Sequence, residues 1–278
     1  MSLAARIAAP LAAALVFALP ALAQQKDKDY EPQVGQAGKD VIWVPTPDEI
    51  VDRMLRMAQV TPNDYVVDLG AGDGKIAIAA AKKFGARALG IEYNPDMAKH
   101  AQRNVEKAGA TGRAKIIQGD IFTSDFSQAT VVTMYLLPAL NLKLRPQLLS
   151  MRPGTRVVSH SFNMEDWEAD ETSSMDGRRA YLWIIPASVM GGWALETGGE
   201  KAELAFEQRY QKIDGHIALG ALHAGLRDTR LRGVQISFAY VDNAGARRDF
   251  SGRVSGNRMD GSFRTEAGAE GRWSATRK

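Results

Sequence analysis

The 278-residue sequence contains no cysteine, which excludes disulfide bonds and thiolate metal sites. It also has few histidines, and none of them stands at the spacing of a metal-binding pair. These are His100, His160, His216 and His223. We therefore predict no metal site, and we expect each histidine to be an ordinary helix, strand or loop residue.

An excess of one sign of charge is also missing. The sequence has 35 Lys and Arg residues against 32 Asp and Glu residues, which gives a net charge of +3. Proteins that bind nucleic acid usually carry clustered basic residues, because these neutralise phosphates. No stripe of basic and aromatic residues is found, so we predict no nucleic-acid partner.

Long apolar runs are absent, apart from a short one at the N-terminus. Arg6 is followed by the apolar stretch Ile7 to Leu19, which is shorter than the roughly 20 residues that span a bilayer. Ala21-Leu22-Ala23 then forms a small-residue cleavage site. We predict a cleaved Sec-type signal peptide over residues 1–23, a periplasmic or secreted location, and no stable membrane insertion after cleavage.

A glycine-rich loop is the strongest motif in the chain. Val66 to Leu69 form a short apolar run containing Asp68, the loop Gly70-Ala-Gly-Asp-Gly74 follows, and Lys75 to Phe84 contain no helix breaker. This order predicts a buried strand, a tight loop and a helix, which together place a ligand at a helix N-terminus. The Gly-x-Gly-x-Gly spacing, with Asp73 inside the loop, disfavours a dinucleotide pyrophosphate and an NAD-binding oxidoreductase.

Two further acids follow at the ends of predicted strands. The run from Arg87 ends at Glu92, the position from which nucleotide-binding sheets hydrogen-bond ribose hydroxyls. A third run, Ala114 to Gln118, leads into Gly119-Asp120. Because the carboxyl ends of parallel strands share one sheet edge, these acids and the glycine loop are expected to face one crevice.

These three strand ends together resemble the class I S-adenosylmethionine-dependent methyltransferases, over roughly residues 41–161. The resemblance implies that the glycine loop approaches the amino-acid part of S-adenosylmethionine, that Glu92 takes the ribose, and that Asp120 takes the adenine amino group. The cofactor-binding residues that it implies are Asp68, Gly70, Ala71, Gly72, Glu92, Asp120 and Ile121.

The segment before the first strand narrows this resemblance. Val44-Pro-Thr-Pro47 is similar to one branch of the family that includes small mitochondrial lysine methyltransferases and their bacterial relatives, in which this segment lies over the cofactor. Thr46 and Glu49 also have the spacing of a capping box, which predicts that Thr46 caps the helix that follows.

The methyl acceptor is expected beside the fourth strand, Thr130 to Met134. A sequence similar to Asp/Asn-Pro-Pro-Tyr is typical, at this place, of enzymes that methylate the amino groups of DNA bases. This chain instead has Thr133-Met-Tyr-Leu-Leu-Pro138. A flipped base is therefore disfavoured. Tyr135 becomes the candidate catalytic residue that shapes the acceptor pocket, although a sheet-end aromatic packed in the core is the alternative interpretation.

The fold is predicted to be α/β, with a Rossmann-like methyltransferase sheet and flanking helices, followed by a small antiparallel all-β domain. Only one strand, Tyr181 to Pro186, is found after the fifth, and residues 163–176 are interpreted as a loop. From Gly191 onward, apolar residues alternate between turn residues, which indicates a barrel-like β-meander. The predicted units are a flexible arm (24–40), the methyltransferase domain (41–187) and the β domain (191–278).

The predicted function is methyl transfer from S-adenosylmethionine to an amine, on a small molecule or, preferably, on a protein lysine. The signal peptide conflicts with a cofactor that is made in the cytoplasm. The alternative is therefore a secreted binding protein that retains the fold and binds a nucleoside or metabolite without catalysis. The chain carries all three strand-end motifs, which favours the enzyme.

Overall fold

The structure, a computed structural model, describes residues 30–278, so the predicted signal peptide lies outside the described residues. It contains two β-sheets, one formed before Ile185 and one after Met190. No helix within residues 30–278 has the length and apolar character needed to cross a membrane. Residues 30–40, which belong to the predicted arm, contain no helix, and their second half forms a short hairpin with residues 41–43.

The first sheet has seven strands: β1 Tyr65–Leu69, β2 Arg87–Glu92, β3 Ala114–Gln118, β4 Val131–Met134, β5 Arg156–His160, β6 Glu171–Met175 and β7 Arg178–Ile184. Their order in the sheet is β3-β2-β1-β4-β5-β7-β6. The first five in this order are parallel, and β7 runs antiparallel to both β5 and β6. This order reverses direction at β1 and β4, where open α/β sheets form their ligand crevice.

Four helices accompany this sheet: α1 Asp48–Met57, α2 Lys75–Phe84, α3 Pro95–Lys107 and α4 Pro138–Leu149. The buried face of α1 carries Ile50, Val51, Met54 and Leu55, which join the sheet core. Asn94 caps α3 by accepting the backbone N–H groups of Asp96 and Met97. The strands that carry the predicted site are thus fixed by buried apolar contacts.

Two predictions about this sheet are wrong. Residues 163–176 are not only a loop, because they contain β6, so two strands follow the fifth. β6 is polar and lies at the sheet edge, where one of its five residues is buried, and it therefore lacks an apolar pattern. Thr46 does not cap α1, because the N-cap is Pro47 and the Thr46 hydroxyl contacts His160 instead.

The second sheet contains nine antiparallel strands and is nearly closed. Its strands are β8 Gly191–Thr197, β9 Glu200–Arg209, β10 Lys212–Leu219, β11 Leu222–Gly225, β12 Arg227–Arg232, β13 Gln235–Val241, β14 Arg247–Ser255, β15 Arg258–Thr265 and β16 Glu270–Arg277. The last strand pairs with the first, β16 with β8. On the opposite side, the Thr229 hydroxyl of β12 donates to the Ile213 carbonyl of β10 at 2.6 Å, and this contact brings the two ends of the sheet together.

Glycine permits the tight curvature of this second sheet. Gly252 and Gly261 are paired across β14 and β15, and a Cβ on Gly252 would lie 2.6 Å from Trp273 Cζ2 and 2.4 Å from the Asp260 carbonyl oxygen. The Trp273 indole occupies this space and contacts the ring of Phe250 inside the sheet. Side chains at these positions would therefore displace backbone as well as the buried indole.

We predict that Gly252→Ala destabilises the protein by about 1–3 kcal/mol, because the added methyl group overpacks the Trp273 contact. Gly225→Ala is the matched control, since a Cβ there meets no atom within 4 Å. Urea unfolding followed by tryptophan fluorescence measures both variants. Equal stabilities for the two variants would contradict this account of the curvature.

The turn between β9 and β10 contacts the segment that follows β5. Asp166, in the segment after β5, accepts from Arg145 Nη1 at 2.5 Å, from Arg209 Nη2 at 2.9 Å and from the Tyr210 hydroxyl at 3.0 Å. These donors hold the pKa of Asp166 at about 2, below its ordinary value. The Tyr210 ring also stacks on the buried Trp167, with the ring centroids 5.6 Å apart. The second sheet is thus attached to the segment that follows β5.

Candidate functional site

The glycine loop connects β1 to α2 with three left-handed backbone positions. Gly70, Gly72 and Gly74 have φ values of +78°, +54° and +82°, which side chains other than glycine rarely adopt. The N–H groups of Gly70 and Ala71 both donate to the Ile91 carbonyl, at 2.9 and 3.0 Å. The loop is therefore tied to the end of β2, and its backbone borders the cleft above the helix N-terminus.

Glu92, the last residue of β2, fixes the shape of this loop. One carboxylate oxygen accepts the Gly72 N–H at 2.9 Å, and the other accepts the Asn94 N–H at 3.0 Å. Each oxygen retains a second lone pair that a ligand hydroxyl can use. Glu92 therefore lies where a ribose-binding acid was predicted, and it also supports the loop.

Asp68 is the buried acid of the site. Asp68 is 2% exposed, and one of its carboxylate oxygens accepts a hydrogen bond from the Thr133 hydroxyl at 2.7 Å. Burial raises the pKa of Asp68 to about 7, and the nearby carboxylates of Asp73 and Glu92 contribute to this increase. The hydrogen bond from Thr133 has the opposite effect, because it lowers the pKa. The carboxyl group is therefore poised between its charged and neutral forms near neutral pH.

Asp120 lies after β3 at the other end of the cleft. Its Oδ1 accepts the Phe122 N–H at 2.9 Å, and its Oδ2 contacts Lys39 Nζ at 2.7 Å. The Lys39 bond holds the pKa of Asp120 below its ordinary value. Ile121, the next residue, also lines the cleft.

These residues surround one cleft of about 300 Å³, at the lower end of the usual range for small-molecule pockets. All eight predicted site residues line it: Asp68, Gly70, Ala71, Gly72, Glu92, Asp120, Ile121 and Tyr135. The described residues 30–278 contain no group of three or more His, Cys, Asp or Glu side chains able to hold a metal ion. The glycine loop and the carboxylates of this cleft fit S-adenosylmethionine, because that molecule carries a cationic sulfonium, an amino group and ribose hydroxyls.

An N-terminal hairpin, residues 35–43, forms one wall of the cleft. Gly35 N–H donates to the Trp43 carbonyl at 2.8 Å, and Trp43 N–H donates to the Gln36 carbonyl at 2.9 Å. The Trp43 indole lies against the glycine loop, since a Cβ on Gly72 would be 2.6 Å from its Nε1. Sequence reasoning missed Trp43 and Lys39 because both contacts are long-range.

The opposite end of the cleft is lined by aromatic residues. Tyr135 follows β4, and its ring centroid lies 6.0 Å from that of Phe162, after β5. His160, the last residue of β5, packs on Tyr135 at 4.0 Å between centroids. Sequence reasoning did not single out His160 or Phe162. The rule that ligands bind beyond the carboxyl ends of parallel strands would have indicated both.

Similar proteins are known for about half of this chain. The family model described as the ANTKMT methyltransferase domain matches residues 68–171. A protein-lysine N-methyltransferase of Saccharolobus islandicus (strain REY15A) is 46% identical over 151 residues, which cover 52% of this chain and 94% of that protein. The adenine nucleotide translocase lysine N-methyltransferase of Mus musculus is 29% identical over 119 residues, and the alignment covers 42% of this chain and 52% of the mouse protein.

A solved structure matches the same share of this chain. It comes from Salinibacter ruber, is described as an RNA methyltransferase, and contains S-adenosyl-L-homocysteine. It shares 50% sequence identity with this chain at a TM-score of 0.52, and the match covers 52% of this chain and 96% of that one. The similar proteins thus agree on the reaction and differ in the acceptor.

Proposed function

Because the chain belongs to the class I S-adenosylmethionine-dependent methyltransferases, we propose that it methylates the side-chain amine of a lysine in a protein. The observation that carries this proposal is the 46% identity to a protein-lysine N-methyltransferase along 94% of that relative. S-adenosylmethionine supplies an electrophilic methyl group when it is bound. The residues of the chain bind it, orient the acceptor and exclude water.

The charges of the cleft favour a cationic acceptor over a phosphate-bearing one. Its described lining includes the carboxylates of Asp68, Asp73, Glu92 and Asp120. The two lysines in the same lining are both paired, Lys39 with Asp120 at 2.7 Å and Lys75 with Asp48 at 3.0 Å. RNA binding depends on cations that neutralise phosphates. The described lining therefore offers no unpaired lysine or arginine to a phosphate, which supports an amine acceptor rather than RNA.

Tyr135 and Phe162 support the same acceptor. Both line the cleft beyond β4 and β5, and aromatic faces attract cationic amines. A lysine amine has a reference pKa of about 10.4, so it must lose its proton before it attacks the methyl group. In this proposal the exclusion of water disfavours the ammonium form and lowers the amine pKa, against the attraction of the aromatic faces, which raises it.

The test is to incubate the protein with tritiated S-adenosylmethionine and an extract of envelope proteins, since the sequence predicts a periplasmic or secreted location. The label is then separated into protein, RNA, lipid and small-molecule fractions. We expect label in protein, recovered as methyl-lysine after acid hydrolysis. Label confined to any other fraction rejects a protein acceptor. Cofactor binding without label in any fraction favours the binding-protein alternative.

A further inference from the structure

The aromatic end of the cleft contains a histidine that lies behind its wall. We propose that His160 is a positioning residue for the methyl acceptor, because it holds the Tyr135 ring in place at the cleft. This inference rests on the proposed function. His160 itself is 2% exposed and is absent from the cleft lining, so it acts through Tyr135.

The backbone after β5 is bent sharply to bring two rings to Tyr135. Ser161 has a φ of +62°, and the Phe162 N–H donates to the His160 carbonyl at 2.8 Å across it. This bond and the positive φ are features of the rare, strained γ-turn. As a result, the two residues that flank Ser161 both contact Tyr135, with centroids at 4.0 Å for His160 and 6.0 Å for Phe162. Strained backbone of this kind is concentrated at functional sites.

Thr46 fixes the imidazole from the other side. Its hydroxyl lies 3.2 Å from His160 Nδ1, and both groups are buried. This contact replaces the helix cap expected of Thr46, whose carbonyl accepts Lys75 Nζ at 3.2 Å. The segment that carries the N-terminal hairpin is thereby linked to the residue that supports Tyr135.

The remaining imidazole nitrogen, Nε2, is buried and has no hydrogen-bond partner among residues 30–278. The contact of Nδ1 with Thr46 is therefore the one that orients the ring within these residues. An apolar side chain would fill the same space but would not bond to Thr46.

His160 is not a general base for the acceptor. Burial lowers its pKa to about 4, and the charge of Arg178 contributes. A base with such a pKa takes a proton poorly from a lysine ammonium. A charged imidazolium at the acceptor end of the cleft would repel both the amine and the sulfonium, and the neutral His160 ring avoids this repulsion.

The experiment compares Thr46→Val, which replaces the hydroxyl with a methyl group, with Thr46→Ser, which keeps the hydroxyl. We expect Thr46→Val to lower kcat, measured with the envelope protein that the labelling test identifies, about fivefold, while the Kd for S-adenosylmethionine, measured by calorimetry, changes less than twofold. Thr46→Ser restores kcat to within twofold of the parent. The matched control is Thr130→Val, just before β4, where another hydroxyl donates to Asp64 at 2.7 Å. It lowers stability without changing kcat.

A ¹⁵N spectrum of the imidazoles tests the arrangement without any acceptor, so it remains informative if the proposed function fails. Signals that disappear in His160→Leu identify the residue. We expect one neutral tautomer at pH 7 in the parent and in Thr46→Ser, and a mixture in Thr46→Val. An imidazole that titrates near its ordinary value in the parent overturns the proposal. Equal kcat values for Thr46→Val and the parent do so as well.

Discussion

Replacing Glu92 with alanine is expected to weaken the binding of S-adenosylmethionine by about 10- to 100-fold. The variant loses the predicted ribose contacts, which are charge-assisted hydrogen bonds, and this loss costs about 1–3 kcal/mol in total. It also loses the two bonds by which Glu92 holds the backbone of Gly72 and Asn94. The glycine loop then has to be ordered when the ligand binds, which adds to the cost.

Isothermal titration calorimetry with S-adenosylmethionine and with S-adenosylhomocysteine measures this effect. Glu92→Gln separates the two losses, since its amide oxygen still accepts one backbone N–H; we expect a smaller reduction. Glu106→Ala, an exposed acid on α3, is the control for the removal of a negative charge. An unchanged affinity of Glu92→Ala would show that the ligand does not bind at the end of β2.

The affinity for S-adenosylmethionine is expected to rise as the pH increases through about 7, and to fall about tenfold per pH unit below that value. The reason is the buried carboxyl of Asp68, whose pKa is raised to about 7. Only the ionised form attracts the cationic ligand, so at lower pH binding must first remove a proton from Asp68.

Asp68→Asn removes this dependence. The variant keeps an acceptor for the Thr133 hydroxyl but carries no charge, so we expect weaker binding at pH 8 and a flatter profile between pH 6 and 8. The amino group of the ligand titrates identically with both proteins, and the difference between the profiles therefore isolates Asp68. Parallel profiles for the parent and the variant would contradict the role of this carboxyl group.

The cofactor end of the site could be predicted from the sequence because its signals are local. The glycine spacing requires positive φ values at Gly70, Gly72 and Gly74, and these are observed. Strand ends are also visible as apolar runs, and the parallel topology then brings Glu92 and Asp120 to one edge. Their roles toward S-adenosylmethionine remain predictions until binding is measured.

The parts that were missed depend on tertiary contacts or on turns. Thr46 had a local partner in the predicted capping box, but the buried nitrogen of His160 competes for the same hydroxyl. β6 has no apolar pattern, because it is a polar edge strand. Its hairpin turn, Asp176-Gly177, did carry a signal: both residues have positive φ, as Asp-Gly turns between strands usually do.

The two walls of the cleft differ in how firmly they are held, and this determines how a ligand reaches it. The wall formed by the segment after β5 is fixed by Asp166 and Trp167 against the second sheet. The N-terminal hairpin is held by Trp43 on the glycine loop and by the exposed pair of Lys39 and Asp120, a kind of contact worth about 1 kcal/mol or less. Local opening occurs where the fewest interactions break. We therefore expect the cofactor to enter and leave under the hairpin, while the segment after β5 keeps its position against the second sheet.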